Sequence, residues 1–336
     1  MSSPPQATSL LHQILRHVYR LVQTYGGPPV RNGFGRLRVD SVDIPPAELD
    51  ALAGSVGRLT CADLGLDMDH WTPIPPGSHQ IPSNDLVADP SLDSDKYHLT
   101  LPEAPVTYIE ILDGDLFNAS IFILKHPSVE IPLHNHPGMH GFLKVLSGRV
   151  RVDAYTPVAG CPLTPAPSPG PGHPKSGIWS ALGGLTRRSA PSVQVFPQRV
   201  LCARPLPAQE LTSTDAPCIL YPGEGNIHRV VALEAPVAFL DILVPRYAPP
   251  DRDCSYFRTL SPHVVGGSSS SSSSSSSTSP MGRKQRGSSV AEPPIRPHHE
   301  DHILLRQVPC PSSYACDSAP YTGPSIKKQD LMYAEL

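Results

Sequence analysis

Apolar positions recur along this chain with two different periods, and the change between them divides it. In residues 9–24 (SLLHQILRHVYRLVQT), Leu11, Ile14, Leu15, Val18, Leu21 and Val22 fall three or four apart, the spacing that gathers one face of a helix. Ser9 stands where an N-cap belongs, and Gly26–Gly27 where the helix should stop. A second short helix is predicted over 47–55 behind Pro45–Pro46, and a third, with capping signals, over 60–66 (TCADLGL). From residue 105 the period drops to two. Segments 106–112 (VTYIEIL) and 117–125 (FNASIFILK) alternate around Asp113–Gly114, a hairpin signal. Segment 131–155 (IPLHNHPGMHGFLKVLSGRVRVDAY) reads as a strand, a turn at Pro137–Gly138, a strand over 141–146, a tight turn at Ser147–Gly148 and a strand over 149–155. Further strands are predicted over 192–202, 218–221, 226–233, 237–244 and 254–260. Segment 302–308 (HILLRQV) is expected to return as an edge strand, with 321–326 (YTGPSI) tying down the tail. Short strands at regular spacing favour a sandwich or barrel over a parallel α/β sheet.

Between these elements the composition turns against packing. The 336 residues include 42 prolines and are 39% hydrophobic. Segment 73–102, rich in Pro, Ser and Asp, reads as an irregular connection, and 160–191 as a disordered Pro/Gly/Ser insertion between two strands. A poly-Ser linker fills 266–279 and polar, Pro-rich sequence continues over 281–300, where no fold is expected. The chain therefore divides into N-terminal helices with a connection (1–104), a barrel (105–260), a Ser/Pro-rich linker (261–300), and a C-terminal strand and tail packed on the barrel (301–336). A net charge of −3 without a consequential basic block gives nucleic-acid binding little support. No apolar run is long enough to span a membrane. Seven cysteines without a CxxC or other zinc spacing point to free thiols in a reducing, cytoplasmic setting, and to a monomer with tails. The first helix lies in a stretch with no acidic residue before Asp40 but with Arg16, Arg20, Arg31 and Arg36, as a mitochondrial presequence would. A cover for a barrel face is the preferred reading of that helix.

The chemistry centres on His134 and His136. Residues two apart on an extended strand project to one face, so both imidazoles can address one point. A third ligand from a distant strand would complete a metal site, and His228 is the candidate. With 15 histidines, a His-x-His pair also arises by chance, and His228 alone would read as an ordinary polar strand residue. His140, set apart by the Pro-Gly-Met turn, is assigned beside the ligands or on the substrate side. Jelly-roll barrels with a carboxylate ligand usually place a Glu about four residues after the second His, whereas residues 138–141 here are GMHG. Any ligand set is then three imidazoles. It could serve Fe(II), with a thiolate substrate beside O2, or zinc with a hydroxide for hydrolysis. Asp241, between Leu240 and Ile242 in an apolar strand, needs a partner. That partner is an Arg or a turn in one reading, and a ligand or substrate amine in the other.

Four runs carry a family resemblance: IPLHNHPGMHGFLKVLSGRVRV, GNIH around His228, AFLDILVPRY at 238–247 and DRDCSYFRTL at 251–260. They resemble the cysteamine (2-aminoethanethiol) dioxygenase and plant cysteine oxidase family. The continuation of HPGMHG into GFLKVL, and YTGPSI near the C-terminus, put the likeness nearest the animal members. The match runs over 106–260, with weaker stretches near 60–66 and after 302; the Pro-rich insertion and Ser tract have no counterpart. The resemblance implies an all-β cupin barrel (double-stranded β-helix, jelly roll) holding Fe(II) on His134, His136 and His228. It also implies a non-haem thiol dioxygenase that adds O2 to sulfur. The substrates would be cysteamine, giving hypotaurine, or the N-terminal cysteine of peptides and proteins, giving the sulfinic acid read by an oxygen-sensing N-degron route. Asp241 falls on the family's active-site aspartate. Cys254 and Tyr256 fall on a pair proposed in animal members to form a thioether crosslink. The competing classes are another metal-dependent cupin enzyme, an isomerase or hydrolase, and a non-catalytic cupin binding module.

Overall fold

The structure, a computed structural model, describes residues 9–31, 37–71, 104–159, 199–260 and 302–332. The connection predicted over 73–102, the insertion over 160–191 and the Ser tract lie outside them. Helix α1 (Leu10–Tyr25) begins at Ser9, whose hydroxyl accepts from the His12 amide, and buries all six of the apolar positions named above. A two-stranded ribbon, β1 (Val30–Arg31) with β2 (Leu37–Arg38), follows, and then α2 (Pro46–Val56). The helix predicted over 60–66 is a single 3-10 turn, Ala62–Leu64. Its capping is reciprocal: the Thr60 amide donates to Asp63 and the Asp63 amide to Thr60. Gly65 follows directly in the left-handed region, which ends the turn early.

The strands are β3 (Val106–Asp113), β4 (Asn118–Leu124), β5 (Glu130–Asn135), β6 (His140–Pro157), β7 (Val200–Pro205), β8 (Gln209–Thr212), β9 (Cys218–Leu220), β10 (Ile227–Val244), β11 (Tyr256–Leu260), β12 (Ile303–Val308) and β13 (Cys316–Ala319). The short helix α3 (Lys328–Met332) ends the described chain. Pairing is antiparallel except for β13, which runs parallel to β3 at one end. The ring β6–β10–β5–β11–β12–β7 returns to β6, closing a barrel; β3, β4 and β9 extend the sheet on the other half of β6 and β10. This is the cupin, or double-stranded β-helix, architecture.

Several boundaries differ from those read in the sequence. The segments split at Ser147–Gly148 are one strand, β6, and those predicted over 226–233 and 237–244 are one strand, β10. These two pair along almost their whole length, with register breaks between Ala232 and Phe239 opposite Ser147–Arg149. Ser147–Gly148 is a bulged corner within a ladder, not a hairpin turn. Asp113 pairs with Asn118, so the β3–β4 connection spans four residues instead of an Asp-Gly turn. Strand β12 lies between β11 and β7 and is not an edge. The strand predicted over 192–202 is β7, beginning at Val200, and the part before residue 199 lies outside the described residues. The strand predicted over 254–260 begins at Tyr256. Strands β1, β2, β8 and β13 and the helix α3 were not foreseen.

Side-chain parity explains what the bulge achieves. In the second half of β10, Val237 and Phe239 pack in the barrel interior, while Ala238, Leu240, Ile242 and Val244 pack under the helices. In its first half the interior residues are even, Val230 and Ala232. Strand β6 switches in the opposite sense, from Leu143 and Val145 to Val150 and Val152. A one-residue slip transfers every later side chain to the other face, so the two bulges keep one interior continuous through the corner. The other face of β3, β4, β6 and β10 is covered by α1, α2 and the C-terminal segment. Two covered faces are why β4 is buried along its entire length and shows little alternation of apolar and polar residues. Each fully buried Leu, Ile or Phe in these layers contributes about 1.5–3 kcal/mol. The N-terminal segment is held by Arg252, which donates to the carbonyls of Val39 and Asp40, and the C-terminal helix by Arg16, which donates to Asp330 O.

Gly148 has a φ of +76°, and a Cβ there would stand 2.7 Å from Glu234 O and 2.8 Å from Pro236 O. Gly148→Ala is therefore expected to lower unfolding free energy in urea by roughly 2–4 kcal/mol, combining a left-handed backbone with backbone overlap. Gly54→Ala, at an exposed position of α2 with nothing within 4 Å, should raise it by about 0.5–1 kcal/mol.

Candidate metal centre

Strand β5 delivers His134, and the chain just beyond its end delivers His136 before turning at Gly138, whose φ is +67°. Strand β10 runs antiparallel beside β5 with His228 directly opposite His134. The three rings converge, with centroids 4.7 Å apart for His134 with either partner and 5.0 Å apart for His136 with His228. One nitrogen from each lies within 4.8 Å of the others, and all three residues are buried. The predicted ligands are thus brought together. His140 is not among them. Its position in β6 has the parity of Phe142, so it faces the N-terminal segment and meets Val42 O at 3.2 Å.

Hydrogen bonds set which nitrogen faces inward. His134 Nδ1 lies 2.7 Å from Pro132 O, which can only accept, so this nitrogen carries the proton and Nε2 offers its lone pair. Tyr247 donates its hydroxyl to Asn135 O at 2.9 Å, leaving its oxygen to accept from His136 Nδ1 at 2.7 Å. His136 Nε2 and His228 Nε2 then stand 3.2 Å apart. His228 Nδ1 has no partner among the described residues, so His228 Nε2–H can donate to His136 Nε2 in the metal-free site. A shared cation about 2.1 Å from each nitrogen would replace that proton at a separation near the one observed. Burial lowers the His134 pKa to about 4 and holds His136 and His228 well below their usual value, with neighbouring histidines adding to the effect. All three are neutral donors at neutral pH, so the residues fit a metal.

Two positioning residues were missed in the sequence. Asn226 accepts from the His136 amide at 2.9 Å and donates to the carbonyls of Met139 and Tyr221, fixing the turn that carries His136. Tyr247 orients His136 as described. A buried asparagine two residues before His228, and a tyrosine closing the AFLDILVPRY run, were the available signals. Both are polar groups that gain meaning only from what they touch.

The histidines open onto a cavity whose empty space, counted together with the solvent at its mouth, is about 620 Å³. Leu143, Phe239, Leu243 and Phe122 give it apolar walls, and Tyr256 and Tyr314 also line it. Asp241 lies on this wall and is the one buried carboxylate among the described residues. Its Oδ1 has no hydrogen-bond partner there, and burial pushes its pKa up to about 7. Among the described residues no arginine pairs with it. Cys254 and Tyr256 are both buried. The Cys254 thiol shares a hydrogen bond with Tyr247, and burial pushes its pKa up to about 12. The Tyr256 hydroxyl shares one with Cys310, a contact not anticipated.

A closed double-stranded β-helix with a buried three-histidine cluster facing a pocket defines a cupin of the metal-binding kind. The family model PCO_ADO matches residues 58–326. The 2-aminoethanethiol dioxygenase of Homo sapiens is 33% identical over 231 residues, covering 66% of this chain and 68% of that protein. Plant cysteine oxidase 1 of Arabidopsis thaliana is 34% identical over 158 residues, covering 46% of this chain and 41% of that protein. A solved protein with a double-stranded β-helix domain from Klebsiella pneumoniae subsp. pneumoniae is also matched, at 15% identity and TM-score 0.24, covering 44% of this chain and 75% of that one. The chain belongs to the PCO_ADO family and is a thiol dioxygenase.

Asp241 offers a test of the pocket's electrostatics. An Asp with a folded pKa near 7 and an unfolded pKa near 4 keeps its proton on folding between those values, so it erodes stability as pH rises from about 4 to about 7. In metal-free protein, Asp241→Asn should gain stability relative to the parent across that window, by at most about 4 kcal/mol, and run parallel to it above. Denaturant melts at pH 4, 5.5, 7 and 8.5 would show this.

Proposed function

We propose that the chain is an Fe(II)-dependent dioxygenase of thiols that carry a nearby amine, namely cysteamine and the N-terminal cysteine of peptides. The observation behind this reading is the pairing, across one pocket, of three neutral imidazoles with a single unpaired buried carboxylate. His134, His136 and His228 would hold the ion. When bound, iron supplies a site for the sulfur as thiolate and for dioxygen beside it.

The remaining tasks belong to the chain. A set of neutral donors leaves the ion's positive charge uncompensated, so the pocket favours an anionic thiolate over a neutral thiol. Pro132 O and Tyr247 keep two of the rings from rotating; removing such support commonly costs 10–100-fold in metal affinity or activity. Asp241, whose proton burial retains up to about pH 7 in the empty pocket, would be fully ionised as an ammonium arrives and would hold that charge while the sulfur reacts. Leu143, Phe239 and Leu243 give the pocket an apolar wall. Overall, a thiol and O2 become a sulfinate and a proton, with sulfur losing the four electrons that dioxygen gains. The names of the matched relatives, a 2-aminoethanethiol dioxygenase and a plant cysteine oxidase, support the same two substrate classes.

Iron-loaded protein should consume O2 with cysteamine and with a peptide beginning in Cys, each product gaining two oxygens by mass, and should leave the N-acetylated peptide unchanged. The ratio of the two active substrates ranks them. Oxidation of the acetylated peptide at an equal rate would remove the amine from the reading, and absence of uptake with every thiol would overturn it. His228→Ala is expected to lose both iron and O2 uptake while keeping its far-ultraviolet circular dichroism; a variant that stays active would refute the ligand assignment.

A further inference from the structure

The six cysteines among the described residues are all free, and two of them meet. Strands β11 and β12 pair with Tyr256 opposite Val308 and Phe257 opposite Gln307. Two residues beyond Tyr256 and Val308, the same antiparallel register sets Cys254 opposite Cys310. Residues opposite one another in such a pair have Cα atoms about 4.5–5.5 Å apart, inside the span of about 4.4–6.8 Å that a disulfide bridges. The side chains also share a face. Cys254 and Tyr256 belong to one apolar cluster, and Val308 packs against it from the facing strand. Cys310 shares a hydrogen bond with the Tyr256 hydroxyl and lies near enough to Cys254 to act on it electrostatically.

The two thiols differ in access. Cys310 is exposed, whereas Cys254 is 4% exposed and packs with Tyr247 and Tyr256. An exposed thiol opposite a buried one suits exchange in two steps, with entry at the surface and resolution within.

We propose that Cys254 and Cys310 form a modification site, a thiol pair that small-molecule disulfides convert to a protein disulfide, latching the C-terminal segment onto the barrel. Cys310, as thiolate, attacks one sulfur of a disulfide RSSR, giving a mixed disulfide and RSH. The Cys254 sulfur then attacks Cys310 within that mixed disulfide and displaces the second RSH. The proton of each protein thiol leaves on RSH, and the protein sulfurs lose the two electrons that the small disulfide gains. The latch ties residues 309–314, whose Tyr314 lines the pocket, to β11. It takes the Cys254 thiol from Tyr247, but that hydroxyl keeps Asn135 O and His136 Nδ1, so the ligands stay held. A thioether to Tyr256 would consume the same sulfur, so the two modifications of Cys254 exclude each other. The pair does not depend on which thiol the enzyme oxidises.

The test incubates iron-loaded full-length protein with glutathione disulfide, anaerobically and at mildly alkaline pH. Burial raises the pKa of both thiols and slows exchange at neutral pH. After the remaining thiols are alkylated, digestion without reductant and mass spectrometry should show the Cys254 and Cys310 peptides joined, and reductant should part them. Cys254→Ser (or Cys254→Ala, if the serine variant does not fold) should stop at a glutathione mixed disulfide on Cys310. Cys310→Ser should leave Cys254 unmodified. The joined parent should melt higher than the reduced one, because the link closes a long loop of the unfolded chain, with iron content unchanged. Neither variant should show that rise. A parent that keeps glutathione on Cys310, joins Cys310 to Cys316 instead, or carries Cys254 in a thioether with Tyr256 would overturn the proposal. A joined form that melts no higher than the reduced protein would overturn the latch. All of this is read without turnover, so a protein that forms the disulfide yet oxidises no thiol would sink the dioxygenase reading alone.

Discussion

The structure depends on the pairing of two bent strands, β6 with β10. Each runs 18 residues and contributes to both halves of the barrel. A strand that turns such a corner without a bulge would carry its interior residues to the outside in one half or leave the sheet. The paired breaks around Gly148 and between Ala232 and Phe239 solve this by shifting parity. Because of that shift His228 and Asp241, an odd 13 residues apart, both face the cavity. One backbone device thus joins a metal-ligating end of the pocket to its acidic wall.

Much of this was legible in the sequence, and what was not shares a cause. Helix α1 was readable to its cap because six apolar residues at helical spacing admit one face only. His134 and His136 were readable because two residues on one strand have a fixed relation. His228 could be nominated, but its place opposite His134 comes from the β5–β10 register, which is a property of two distant segments. Ser147–Gly148 was read as a turn because a glycine after serine between alternating segments looks the same in a hairpin and in a bulged corner. The difference lay in the phase of alternation, odd before it and even after it. His140 was placed near the site by its closeness in sequence, and strand parity sends it to the opposite face.

Electrostatics gives the pocket its chemical character. Burial works in opposite directions on its two kinds of titratable group, pushing protons off the imidazoles and onto the carboxylate. Below about pH 7 the metal-free site is therefore close to neutral. In the proposed reaction a cation at the histidines and an ammonium at Asp241, with a thiolate between them, would replace that neutrality with alternating charges.

The unpaired carboxylate is informative for the same reason. An interior that pairs Tyr108 with Ser120, and satisfies Asn226 at both ends of its amide, could pair Asp241 as well. A lysine or arginine at a neighbouring inward position would suffice. Its β4 and β10 neighbours on this face are instead Ser120, Phe122, Phe239 and Leu243, none of which can supply a charged donor.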